Sequence, residues 1–189
     1  MRTESTAKIV AYCGMLTALA MIFSYVESLI PISFGVPGIK LGLANLIVLS
    51  ALWYLKPGEV LMISTARILL LGFLFGSGMS ILYSLAGGLL SFVVMVSLKR
   101  TGGFSETGIS TAGAVSHNIG QILVAAAVLR SAKLFYYLPV LILSGVITGI
   151  LIGILAGRVQ AILSGTAFAG ISEKQKKLSD GNREERKKR

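Results

Sequence analysis

Residues 135–156 read FYYLPVLILSGVITGILIGILA, with no charged side chain from Phe135 to Ala156. The hydrocarbon core of a bilayer, about 30 Å thick, is crossed by a helix of roughly 20 mostly apolar residues. This stretch has that length and that composition. It also carries a second signal: Gly145, Gly149, Gly153 and Gly157 recur every fourth residue and share one helix face. Lipid tails give helices no hydrophobic reason to associate, so close backbone approach has to do that work. The stretch therefore predicts a membrane-spanning helix with a bare face pressed against a neighbour, most simply a neighbour in the same chain.

Five more apolar runs lie upstream, at residues 8–30, 41–55, 60–75, 79–98 and 111–129. Their limits are set by Pro31, by Lys56-Pro57-Gly58, by Gly76-Ser77-Gly78 and by Lys99-Arg100-Thr101-Gly102-Gly103, all strong turn signals. The second and third runs are short enough to be tilted, broken or partly re-entrant. The first is too long for the apolar region of a signal peptide, about 7–15 residues, and is expected to be a retained helix. None of the runs alternates with period two, as the strands of a membrane barrel do. The expected fold is an all-α membrane protein, a bundle of six transmembrane helices over residues 1–170, followed by a basic tail over 171–189.

Basic residues near the span ends set orientation. With the N-terminus inside, the cytoplasmic set is Arg2, Lys8, Lys56, Lys99, Arg100, Arg158 and the eight bases of the tail, against Lys40, Arg130 and Lys133 outside. That asymmetry predicts an N-in, C-in protein. It also reads the tail as a topology anchor near anionic lipid rather than a nucleic-acid arm.

Composition excludes several chemistries. Of 189 residues 54% are hydrophobic and 14% charged, with only eight acids, where a soluble domain has about 25% charged residues. Asp180 is the sole aspartate, so no aspartate-rich magnesium site can form. Cys13 is the sole cysteine and His117 the sole histidine, which leaves no disulfide framework and no metal site. No Gly-x-x-x-x-Gly-Lys-Ser/Thr loop occurs, so the chain alone is not a nucleotide-driven pump. It is expected to be no enzyme by itself and to need no cofactor.

Three features at membrane depth call for a partner or a wet cavity. Arg67 lies in the third run, where an arginine costs roughly 2.5–3.5 kcal/mol on insertion scales. Glu27, the one acid in the outer half, is its natural counter-charge; either the two form a structural pair or Arg67 addresses an anionic ligand. His117 and Gln121 are four apart and share a helix face, with Asn118 beside them. They suit either a polar or heteroaromatic ligand or interhelical hydrogen bonds. Residues 31–45 carry two prolines and three glycines before Asn45 yet stay apolar, and read as a lid over a pocket or a re-entrant connector, with Pro37, Gly38, Lys40 and Asn45 at its rim. The first run has small residues of its own, Ala7, Ala11, Gly14 and Ala18, on which another helix or another subunit could dock.

The run Ser28-Leu-Ile-Pro31, then Pro37-Gly38-Ile39-Lys40-Leu41-Gly42-Leu43-Ala44-Asn45, with Ala114-Val-Ser-His117-Asn118-Ile-Gly120-Gln121, resembles a family of small bacterial membrane proteins. It is known as the Gx transporter family and is also labelled heptaprenyl diphosphate synthase component I. The resemblance spans about residues 8–158. This family is similar to the substrate-binding S components of energy-coupling factor (ECF) transporters. That likeness implies an S-component-like bundle in the bacterial cytoplasmic membrane, taking up a small solute through an outward pocket. A separate coupling membrane subunit with ATPases would supply the energy. The implied contact with it falls on Ala7, Ala11, Gly14 and Ala18, although Met15 interrupts the Ala-xxx-Ala pattern. The pocket would be lined by Arg67, His117, Asn118 and Gln121, with Glu27 orienting Arg67. The second label implies instead a non-catalytic membrane partner of a soluble prenyl synthase subunit in isoprenoid or menaquinone synthesis. A membrane anchor for a redox assembly is a third class, and would need no small-molecule pocket.

Overall fold

The computed structural model describes residues 2–29 and 42–163, and every regular element among them is helical. In chain order these are α1 (Arg2–Leu29), α2 (Leu43–Tyr54), α3 (Pro57–Phe75), α4 (Gly78–Thr101), α5 (Glu106–Val128), a 3-10 turn (Ala132–Tyr137) and α6 (Leu138–Leu163). The segment holding Pro37, Gly38 and Lys40, and the basic tail, lie outside the described residues.

Local chemistry sets the helix ends. Pro57 opens α3, where its missing N–H costs nothing, and the Glu59 carboxylate accepts from Lys56 N at 2.9 Å. Ser77 Oγ accepts from Ser80 N at 3.2 Å to start α4, and Gly102, at φ 71°, ends it in the left-handed conformation. Ser105 Oγ accepts from Gly108 N at 3.2 Å. It thereby starts α5 five residues before the apolar run at Thr111, because a polar first turn led by Glu106 suits the positive end of a helix.

Five of the helices are long and apolar enough to cross a membrane: α1, α3, α4, α5, and α6 together with its 3-10 turn. The second apolar run gives only a 12-residue helix, about 18 Å long, so the expected sixth span is not a full-length helix. Even so, α2 is an integral member of the bundle. Its start meets the end of α1 through Glu27. Its end meets the ends of α4 and α6, where Lys99 Nζ donates to Leu52 O and the Tyr54 hydroxyl donates to Gln160 O. The ends of α2, α4 and α6 therefore share one side of the bundle, called basal below. Non-helical or half-length segments are tolerated at membrane depth when protein covers them, and eight residues of α2, Ala44 and Leu46–Leu52, are buried.

The main packing pairs run α1–α2–α6–α5–α4–α3 and back to α1, a closed ring. The tightest part is α4–α5–α6, for a reason visible in its glycines. A Cβ on Gly120 would stand 2.9 Å from Gly87 Cα, and one on Gly87 would stand 2.7 Å from His117 O. On the other side of α5, a Cβ on Gly149 or on Gly153 would stand 2.5 Å from the Cα of Thr111 or Thr107. The glycine stripe of α6 thus packs on α5 of the same chain. The small face of α1 differs: Ala7, Ala11, Gly14 and Ala18 are exposed, and nothing lies within 4 Å of a Cβ built on Gly14. The apolar core, including Leu49, Leu52, Val60, Ile63, Met95, Ile109 and Ile152, fills the basal half of the ring around α2. Large apolar side chains such as Phe73, Leu143 and Leu151 face outward, as a lipid-facing surface requires.

Candidate ligand cavity

Above the core, where α2 begins, the ring encloses a cavity of about 250 Å³. Arg67 lies ten residues beyond Pro57, about 15 Å along α3. His117 lies eleven residues beyond Glu106, about 16 Å along α5. Both therefore sit near the middle of helices long and apolar enough to cross a membrane. All six helices contribute to the wall: Ser24 and Glu27 from α1, Asn45 from α2, Ser64 and Arg67 from α3, Ser84 and Ser91 from α4, Ser110, His117, Asn118 and Gln121 from α5, and Thr148 from α6. Of the expected pocket residues, Glu27, Asn45, Arg67, His117, Asn118 and Gln121 thus meet at one cavity.

The structural Arg67–Glu27 pair, one of the two alternatives, is not formed among the described residues. Arg67 Nη1 donates instead to Ser24 Oγ at 3.1 Å, and its Nε is buried without a partner. Glu27 is engaged elsewhere: Oε1 accepts from Gly42 N at 2.8 Å and Oε2 from Leu43 N at 3.1 Å. The physical reason lies in α2. A helix start exposes unpaired N–H groups, and Gly42, at φ 78°, has no side chain to cap them. A carboxylate from α1 takes that role and meets the positive end of the helix dipole. Glu27 and Arg67 line the same cavity without an ion pair between them. At the other pole of α2, Lys99 approaches the last carbonyls and stands 5.3 Å from the centroid of the Trp53 ring. The short helix is thus held at each end by the charge that its dipole favours.

Asn118 belongs partly to the scaffold, because its Nδ2 donates to Leu141 O on α6 at 2.7 Å. His117 and Gln121 press on Gly87 of α4, and a Cβ there would stand 2.8 Å from Gln121 Cγ. At the outer end of the cavity, Tyr25 and Phe75 join α1 to α3 as a tilted ring pair with centroids 5.4 Å apart.

The serines are what sequence reasoning missed. Ser91 and Ser110 are 2% and 0% exposed, line the cavity, and have hydroxyls with no partner. A signal was present in α4, where Ser80, Ser84, Gly88 and Ser91 fall at the three- and four-residue steps of one helix face. No group of three or more His, Cys, Asp or Glu that could hold a metal ion occurs among the described residues.

Fold and cavity together define a multi-pass helical membrane protein with a polar chamber inside its helix ring. The chain belongs to the heptaprenyl diphosphate synthase component I family, whose sequence model matches residues 16–159. No curated protein and no solved structure matches it.

Proposed function

We propose that this chain is a non-catalytic membrane component of a prenyl diphosphate synthase, and that its central cavity holds a small polar ligand. Membership of the component I family over residues 16–159 carries the reading. Prenyl-chain elongation needs carboxylates to hold magnesium, and the single aspartate, Asp180, cannot supply them. Catalysis then belongs to a soluble partner, and this chain brings that partner to the membrane, where the lengthening apolar product partitions. The positive-inside asymmetry supports an N-in, C-in arrangement in the bacterial cytoplasmic membrane, with the tail over 171–189 at the cytoplasmic face. The test is affinity purification of the full chain from its own cells in mild detergent, with an assay of prenyl products. Recovery of a soluble aspartate-rich synthase, and loss of long-chain product on deletion, is the expected result. Unchanged product length on deletion would sink the proposal.

A second reading, an S-component-like subunit for solute uptake, is favoured by one observation: the small-residue face of α1 is exposed and unoccupied. It predicts that the same purification recovers a coupling membrane subunit and ATPases. It also predicts that Gly14→Leu abolishes their recovery while leaving the fold intact.

A further inference from the structure

We infer that the cavity selects a compact monoanionic carboxylate, held side-on by the Nε and Nη2 groups of Arg67, and does not take a prenyl diphosphate. The inference rests on the ligand-cavity reading above and goes further by naming the ligand class.

Arg67 presents a guanidinium with one nitrogen paired and another buried and unpaired. Nη1 is held by Ser24 Oγ at 3.1 Å, which fixes the plane. Nε is buried with no partner, and no described residue bonds Nη2. Those two donors lie on the same edge and point the same way, the fork that matches the two oxygens of a carboxylate.

Charge decides between a carboxylate and a diphosphate. Among the described residues lining the cavity, Arg67 is the one fixed cation and Glu27 the one acid. Those two fixed charges among the described residues sum to zero. A monoanion leaves a single excess charge, placed against a guanidinium. A diphosphate brings several, at a depth where each uncompensated charge is costly, and the described residues include no acid cluster to hold a neutralising metal. Size points the same way. About 250 Å³ lies below the 300–1,000 Å³ usual for drug-sized ligands, far too small for a heptaprenyl chain.

The test uses the purified full chain in detergent and follows thermal unfolding. The probes are benzoate, 4-hydroxybenzoate, pyridine-3-carboxylate and pyruvate, their carboxamides, and isopentenyl diphosphate and inorganic diphosphate. A bound ligand raises the unfolding temperature in a saturable way. At least one carboxylate is expected to do so at millimolar concentration, while its carboxamide and both diphosphates do not. Arg67→Lys, which keeps the charge and loses the planar fork, should weaken that carboxylate at least about tenfold. If Arg67→Lys does not fold, Ser24→Ala, which releases only Nη1, should weaken it about threefold or more. Carboxylate binding unchanged in the variant that folds overturns the assignment. So does stabilisation by a diphosphate alone, which would leave the ligand-cavity reading standing. No response to any probe overturns both, whereas the synthase partnership is judged separately by the purification.

Discussion

Replacing Glu27 by Gln tests the role that the structure gives this carboxylate. Glu27 accepts from Gly42 N at 2.8 Å and from Leu43 N at 3.1 Å. Gln retains one carbonyl acceptor and turns an NH₂ toward the other N–H, so one charge-assisted bond is lost, worth about 1.5–3 kcal/mol. Loss of the negative charge at the helix start removes a further ~0.3–2 kcal/mol. A destabilisation of about 2–5 kcal/mol follows, and at about 2–4 °C per kcal/mol for a chain of this size the unfolding temperature should fall by about 4–20 °C. The assay is built in, because Trp53 is the sole tryptophan and lies on α2. Its emission reports loosening of that helix directly. The competing account makes Glu27 chiefly the counter-ion of Arg67, and a double-mutant cycle separates the two. In the capping account Glu27→Gln and Arg67→Gln combine with a coupling below about 1 kcal/mol. In the counter-ion account, removing both charges restores most of the loss. Restoration in the double variant, or an unfolding temperature and emission equal to the wild type in Glu27→Gln, would refute the reasoning.

Three further outcomes follow from the packing. Gly149→Val and Gly153→Val place atoms against the backbone of Thr111 and Thr107; each should cost at least about 1–3 kcal/mol in detergent unfolding, whereas Gly14→Ala, with open space around it, should cost nothing measurable. Asn118→Ala removes the bond to Leu141 O and should destabilise by about 0.6 kcal/mol, with about 1.7 as the upper bound for such bonds, measured by the same unfolding. Lys99→Met keeps the apolar stem and removes the ammonium from Leu52 O and from Trp53. It should shift Trp53 emission and destabilise by about 1–3 kcal/mol; unchanged emission would count against the contact.

Much of the bundle is readable from composition and punctuation. Apolar runs of bilayer length, ended by Pro57, by Gly76-Ser77-Gly78 and by Gly102, locate α3 and α4 to within a few residues. The glycine stripe of α6 announces a close neighbour, although not that the neighbour is α5. Residues 41–55 were harder: an apolar run reads the same whether helix fills all of it or only 12 residues. Pairing Glu27 with Arg67, one of two alternatives, follows the rule that a buried charge seeks its opposite. The competing demand, a helix start without its own capping side chain, arises only once α1 and α2 are side by side. For Ser91 and Ser110 the difficulty is different, since serine is ordinary in membrane helices and becomes conspicuous only when its hydroxyl is found unpartnered.

The two poles of α2 also bear on biosynthesis. The chain enters the membrane from its N-terminal end, so α1 brings Glu27 before α2 exists, and α3 brings Arg67 before α4 and α5 can wall it in. During that interval Ser24 is available to the arginine and the α2 amides are available to the glutamate, both from helices already made. Lys99, which completes the far pole of α2, arrives only at the end of α4. The N-terminal three helices can therefore shelter their charges provisionally, and the half-length helix becomes fixed at both ends only when the fourth has been inserted. Truncation after α3 should leave α2 tethered at one end, and truncation after α4 at both.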